Sequence, residues 1–321
     1  MKMNLTKMTM LMTMMLTILS TTSTTSLLMM WMMMEVNLMS FLPLMTKSSQ
    51  MKDQPMKFFI IQSLASSIML MSILMNSMTE SPVSSSIMLM SSLLMKMGLI
   101  PFHTWVPMIM NPMNWENCFM LMTIQKIIPT IIISQMLTMK LIMLPICLTM
   151  LVSPIMTIKQ TSTKKIMAYS SITNSPWMVI SMMNSSSQFF TFMSVYTLMT
   201  MMITKKMKEN SIMFINQMMM KEMKKKVSII INILSMSGMP PMMGFFPKWM
   251  ILQSTISYST TVSMSMIFSS IMSTFIYIKM MSPVLMITPM MKKIKLKKNE
   301  LENDININLM GTILLMTMKS S

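Results

Sequence analysis

An all-α bundle of about eleven membrane-crossing helices is the fold the sequence predicts, and three observations predict it. The 321 residues are 53% hydrophobic and only 11% charged, whereas a soluble domain averages about 25% charged residues. Apolar runs of about twenty residues, the length needed to cross a hydrocarbon core of ~30 Å, recur along the whole chain. The 26 basic residues, every one a lysine, gather between alternate runs, as they do in polytopic membrane proteins. The missing polar coat excludes an ordinary soluble globule, and the apolarity excludes a disordered basic tail. A net charge of +17 in a soluble protein would point to nucleic acid. Joined to this hydrophobicity, it points to a lipid bilayer as partner and to no nucleic acid.

The runs fall at roughly 4–22, 24–45, 56–78, 86–106, 117–138, 139–158, 164–183, 187–204, 227–246, 254–278 and 305–318, taken as stretches of ~20 mostly apolar residues. The first lacks a small-residue cleavage site and leads into more apolar sequence, so it reads as a span rather than a removed signal. The second carries Glu35 in WMMMEVNLMSFLPL and ends at the polar TKSSQMKDQP. The third is uninterrupted. The fourth carries Lys96 and closes on PFHTW, and the fifth carries Lys126 in LMTIQKIIPTIII. The sixth and eighth are plain spans, and the seventh contains AYSSITNSPW. Between the eighth and ninth, KKMKENSIMFINQMMMKEMKKK has charged ends and an apolar middle, which predicts an amphipathic surface helix. The ninth leads into GMPPMMGFFPKW with Lys248, and a lysine-rich segment at 292–304 separates the tenth from the eleventh. The expectation is one integral membrane domain over 1–321.

The lysines test the helix count. With eleven crossings, the N-terminus and the segments after the even-numbered runs hold 21 lysines, and the opposite side holds Lys140 and Lys319. This positive-inside asymmetry predicts an N-terminus on the basic side. The 64 methionines read as packing and lipid-facing filler, and their excess points to an A/T-rich genome with a second methionine codon. Cys118 and Cys147 make no disulfide or metal spacing, and 4 glycines are too few for a phosphate loop.

Ionisable residues inside a span cost ~2.5–3.5 kcal/mol or more each, so they face a bundle interior and mark ion or proton paths. Glu35, Lys96, Lys126 and Lys248 are such residues, with His103, near a run's end, as a weaker fifth. Burial disfavours an ammonium and a nearby carboxylate restores it, so a Glu–Lys pair is a switch that releases a proton when it separates. Prolines adjoin all three lysines: Pro101 near Lys96, Pro129 near Lys126, and Pro240, Pro241 and Pro247 near Lys248. Interrupted helices at membrane depth line cavities and ion sites. The plainer readings are a structural Glu35–Lys96 ion pair, snorkelling of Lys248 beside Trp249, and a headgroup anchor for His103.

The segments MKMGLIPFHTWVPMIMNPMNWENCFMLMTIQKIIP, KKIMAYSSITNSPWM and SGMPPMMGFFPKW, with WxxxExN before them, closely resemble the antiporter-like membrane subunits of respiratory complex I, in particular the NADH dehydrogenase subunit 2 family of animal mitochondria. The resemblance covers nearly the whole chain in order. It implies a core membrane-arm subunit of NADH:ubiquinone oxidoreductase in the mitochondrial inner membrane, with the basic side and N-terminus in the matrix. It implies two broken helices, a glutamate (Glu35) paired with a lysine on one of them (Lys96), a central lysine (Lys126) and a lysine on the other (Lys248). It implies other complex I membrane-arm subunits as partners, including the other antiporter-like ones. NADH, FMN, iron–sulfur clusters and ubiquinone belong to the complex, with no cofactor and no redox chemistry in this chain. Two departures stand out: Met108 where the family has a glutamate, and SSITNSPW, with Asn174 and Pro176 for the usual His and Gly. A free-standing cation/proton antiporter, or a purely structural membrane-arm subunit, would carry the same charge pattern.

Overall fold

The computed structural model describes residues 5–46, 53–78, 82–136, 138–218, 223–286 and 308. They form α1 (Leu5–Ser23), α2 (Leu27–Thr46), α3 (Asp53–Met78), α4 (Pro82–Met97), α5 (Trp105–Met110), α6 (Trp115–Met122), α7 (Ile124–Met136), α8 (Met139–Ile158), α9 (Thr163–Asn184), α10 (Ser186–Glu209), α11 (Met223–Ser237), α12 (Phe245–Ile256) and α13 (Thr260–Met286). The described residues include no strand. Five stretches are long and apolar enough to cross a membrane: Leu27–Thr46, Asp53–Asn76, Trp115–Met136 (α6 and α7 together), Lys140–Ile158 and Thr260–Pro283. The expected count of eleven is not reached on these residues, because the run at 305–318 lies outside them apart from Asn308.

α9 is the centre of the bundle. It is buried almost without interruption from Thr163 to Ser181 and packs against α5, α6, α7, α8, α10, α12 and α13. Its small side chains, such as Ala168, Ser170, Ser171 and Ser175, let neighbours approach closely, which is what drives helix association where lipid removes the hydrophobic gain. The hydroxyls stay satisfied by bonding back along the helix, as in Ser171 Oγ to Ala168 O at 2.7 Å, so they reach the interior without orphaned donors. The outer helices show the reverse pattern. On α1, Leu5, Met8, Met12, Met15, Leu16 and Leu19 are exposed, a continuous apolar face suited to lipid and not to water.

Two helices are interrupted where the sequence predicts, between α4 and α5 and between α11 and α12. α4 ends in a Schellman motif: Leu99 N donates to Leu94 O at 3.0 Å and Gly98 N to Met95 O at 3.2 Å. Gly98 holds φ +69°, and a Cβ there would lie 2.4 Å from Val106 Cγ2, so only glycine fits. α11 ends the same way, with Gly238 at φ +77° and Gly238 N donating to Ser235 O at 3.2 Å. Each linker carries one cis peptide bond, Ile100–Pro101 and Pro240–Pro241.

Several expectations need correction. A third, milder interruption separates α6 from α7 at Thr123, whose φ −113° and ψ −75° depart from ideal helix values while staying in the right-handed region. Pro129 lies inside α7 without ending it. The apolar run at 245–256, expected to be a connection in part, is α12, so the tenth span starts at Thr260. The amphipathic surface helix expected over 205–226 does not form as one element. α10 continues to Glu209, Ser211 turns at φ 50°, and Phe214 bridges to Ser162 before a short 3-10 turn at Ile215–Met218. Ile212 and Met218 are buried there. Part of the apolar middle thus packs on the bundle while Met213 and Phe214 stay exposed; residues 219–222 lie outside the described set.

The loops sort into two faces, as the lysine asymmetry requires. Lys7 Nζ, from α1, lies 2.6 Å from Glu116 Oε2 at the start of α6, and Lys208, from the end of α10, pairs with the other oxygen of Glu116. Thr163 N donates to Met213 O and Ile215 N to Thr161 O, and Lys279 Nζ reaches Ile158 O at 2.8 Å. These contacts join the N-terminal helix to the segments after the fourth, sixth, eighth and tenth runs. On the opposite face Asn184 donates to Ser254 at 2.8 Å, and Ser254 donates to Gln188 at 3.2 Å.

Candidate functional site

Glu35, near the middle of α2, meets Lys96, in the last turn of α4, with Oε1 and Nζ 3.2 Å apart. The expected pair therefore forms. Its lysine end is the deeper one, with 4% of the Lys96 side chain exposed against 22% for Glu35. Lys96 lies in the last turn of α4, where the negative end of the helix dipole favours a cation. Trp105 Nε1 donates to Met95 O at 3.1 Å and fixes the start of α5 across the gap.

Lys126 occupies the first turn of α7, just past the Thr123 interruption. It is buried, and its Nζ donates to Ser171 O and Ser175 Oγ of α9, both at 2.6 Å. Between it and Lys96 lies a cavity of about 30 Å³ whose polar lining is Asn37, Gln62, Lys96, Gln125 and Lys126. At roughly 10–15 Å³ per water this is room for about two. Lys248, on α12, is buried on the far side of α9. Its Nζ donates to Ser237 O at 3.2 Å, the end of α11, and lies 5.9 Å over the Trp177 ring. Gly238 makes this approach possible, because a Cβ there would lie 3.1 Å from Lys248 Nζ. A smaller cavity of about 10 Å³, lined by Asn174, Tyr196 and Lys248 among others, adjoins it.

The arrangement is a polar line through an apolar bundle: an ion pair, a water-sized cavity, a lysine of α7 bonded to α9, and a second lysine of α12 that also meets α9. Both lysines at helix interruptions sit at C-terminal ends, one on α4 itself and one reaching α11 from α12.

The remaining residues singled out in the sequence lie elsewhere. His103 is in the α4–α5 linker with Nδ1 3.3 Å from Pro101 O, and lines neither cavity. Met108 is 64% exposed and lines neither cavity. Pro176 sits inside an unbroken α9, and Asn174 borders the Lys248 cavity. Sequence reasoning passed over Asn37, Gln62, Gln125, Ser171 and Ser175, because only formal charges were weighed against the membrane. Asn37 and Gln125 stand beside Glu35 and Lys126 in the motifs, and that adjacency was the available signal. It also counted Lys164 as a solvated loop lysine. Lys164 is buried, donates to Met113 O at 2.7 Å and lies 5.7 Å over the Trp115 ring.

The family model for the transmembrane NADH:quinone oxidoreductase/Mrp antiporter matches residues 24–275. NADH-ubiquinone oxidoreductase chain 2 of Anopheles gambiae is 34% identical over 235 residues, 70% of this chain and 69% of that one. The same-named protein of Locusta migratoria is 35% identical over 242 residues, 72% and 71% of the two chains. That of Metachirus nudicaudatus is 33% identical over 285 residues, 83% and 82%. Among solved structures, a chain of respiratory complex I from Thermus thermophilus with bound aureothin superposes with a TM-score of 0.74 at 18% identity, covering 91% of this chain and 72% of that one. A chain of the Mrp complex from a Dietzia species does so at 0.66 with 15% identity, covering 82% and 57%.

Proposed function

The chain belongs to the NADH:quinone oxidoreductase/Mrp antiporter transmembrane family, on the branch of the NADH-ubiquinone oxidoreductase chain 2 proteins, and from that membership we propose the route by which it carries protons. It is a core, multi-pass membrane subunit of the proton-translocating NADH:ubiquinone oxidoreductase of the mitochondrial inner membrane, assembled with other antiporter-like subunits. The relatives at 33–35% identity favour this over a free-standing antiporter. The complex uses NADH and ubiquinone; we assign FMN, the iron–sulfur clusters and every electron-transfer step to other subunits.

The proposed route runs Glu35, Lys96, Lys126, Lys248. The observation that carries it is the cavity shared by Lys96 and Lys126, with Lys126 bonded to α9 and Lys248 behind it. While Glu35 stays beside Lys96, the ammonium is compensated. When the carboxylate moves away, an uncompensated ammonium in a low-dielectric cavity gives up its proton through water to Lys126. Lys126 is bonded to Ser175, and Asn174 shares a cavity with Lys248, so the onward step towards Lys248 runs through water past these two α9 side chains. An amide does not titrate, so Asn174 orients water for this step and is not itself a proton carrier. His103 has no step in the route.

Lys248→Met tests the far end. In proteoliposomes containing the assembled complex, protons moved per NADH oxidised are expected to fall; unchanged pumping would remove Lys248 from the route. We also place the N-terminus and the lysine-rich face in the matrix, on the positive-inside asymmetry. A tag at the N-terminus should then resist protease in mitoplasts, whose outer membrane is open, and be cut only after detergent. Cleavage without detergent would reverse the orientation.

A further inference from the structure

The cavity between Lys96 and Lys126 holds a feature that the four ionisable residues do not explain. Asn37 Nδ2 donates to Gln125 Oε1 at 3.0 Å, joining α2 to α7 side chain to side chain. The other ends of the two amides, Asn37 Oδ1 and Gln125 Nε2, are buried without a partner among protein groups. One is an acceptor and the other a donor, and both residues line the cavity. Asn37 is 4% exposed. Leaving such groups unsatisfied is costly, and a cavity of about 30 Å³ beside them admits about two waters.

We propose that the Asn37–Gln125 amide pair is a water-positioning element, holding the water through which a proton crosses from Lys96 to Lys126. This rests on the route proposed above and gives its central step a mechanism. Water fills four hydrogen-bond corners. It donates one O–H to Asn37 Oδ1 and accepts from Gln125 Nε2, which leaves one lone pair and one O–H. The lone pair faces the Lys96 ammonium and the O–H faces neutral Lys126. In the transfer an N–H of Lys96 breaks as a new O–H forms, and the O–H towards Lys126 breaks as its N–H forms. Water is regenerated, Lys96 is left neutral and Lys126 charged. The amides neither gain nor lose a proton, so they cannot trap it. Because two corners stay pinned, only the other two exchange when the water resets for the next turn. The roles of Asn37 and Gln125 are positioning ones.

The test compares Asn37→Leu, Gln125→Leu, the exchanged pair Asn37→Gln with Gln125→Asn, and Lys126→Met, each in the assembled complex in proteoliposomes. Each leucine variant is expected to slow pumping about tenfold, the loss of about one well-made hydrogen bond. The solvent deuterium isotope effect on the pumping rate should rise, because transfer between the lysines becomes limiting. The exchanged pair should recover most of the rate. If Lys126→Met fails to pump while both leucine variants pump normally with an unchanged isotope effect, the amide inference is overturned and the route stands. If Lys126→Met itself pumps normally, the route fails. Should the leucine variants not assemble, the native complex decides at a resolution that shows water. An ordered water bonded to both Asn37 Oδ1 and Gln125 Nε2 supports the inference, and direct bonds from both atoms to protein groups overturn it.

Discussion

Lys126→Met is expected to leave the complex assembled and to cut proton transfer through this subunit by about a hundredfold or more, the scale that one positioned proton-transfer group contributes. Assembly survives for local reasons. Methionine is close to lysine in length and fills gaps without strain. The groups it abandons do not become orphans, since Ser175 Oγ already donates to Ser171 O at 2.7 Å. Replacing a buried charge with an apolar side chain is often neutral for stability. A loss of pumping at normal abundance therefore reports chemistry. Lys126→Arg separates charge from proton release, because a guanidinium keeps the charge and does not deprotonate in proteins. If Lys126 acts as a shuttle, arginine fails as methionine does. If it supplies only a fixed positive charge bonded to α9, arginine restores function. The measurement is acidification of proteoliposomes per NADH oxidised, beside the abundance of the complex on native gels; normal pumping by either variant would refute a shuttle at this position.

What could be read in the sequence was whatever the membrane makes expensive. A charge in a hydrocarbon span has few tolerable positions, so Glu35, Lys96, Lys126 and Lys248 announced themselves, and the Glu35–Lys96 approach at 3.2 Å follows from the same cost. The lysine asymmetry sums over many loops, so errors at single boundaries cancel. Neutral polar groups carry a smaller cost, and cost alone did not flag Asn37, Gln125 or Ser175. Helix interruptions were legible only where glycine and proline demanded them. Gly98 and Gly238 mark left-handed turns, whereas the interruption at Thr123 has no glycine or proline beside it to announce it. Pro129 shows the converse: a proline lies inside α7 without ending it. Lys164 was misjudged because position beside a loop was read as exposure, while its stem and ammonium lie against Trp115 and the Met113 carbonyl.

Glu35→Gln separates the switch from the scaffold. The substitution keeps the shape of the side chain and removes the charge that compensates Lys96, whose side chain is 4% exposed. Removing one partner of a buried ion pair costs about 3 kcal/mol or more if the other stays charged, so Lys96 is driven to lose its proton and can no longer load the cavity. The expected result is a subunit that assembles with Lys96 neutral and pumps at a small fraction of the normal rate. The second change, Lys96→Met on top of Glu35→Gln, removes the remaining buried ionisable group and should restore thermal stability to near the native value. It should leave pumping as low as in the single variant, because residues that act as one unit do not add. A purely structural pair predicts the opposite coupling: the double variant regains pumping together with stability. Thermal inactivation of the purified complex and proton uptake per NADH, measured on the same samples, separate the two. Recovery of pumping in the Glu35→Gln, Lys96→Met subunit would make this ion pair a brace between α2 and α4 and take it out of the proton path.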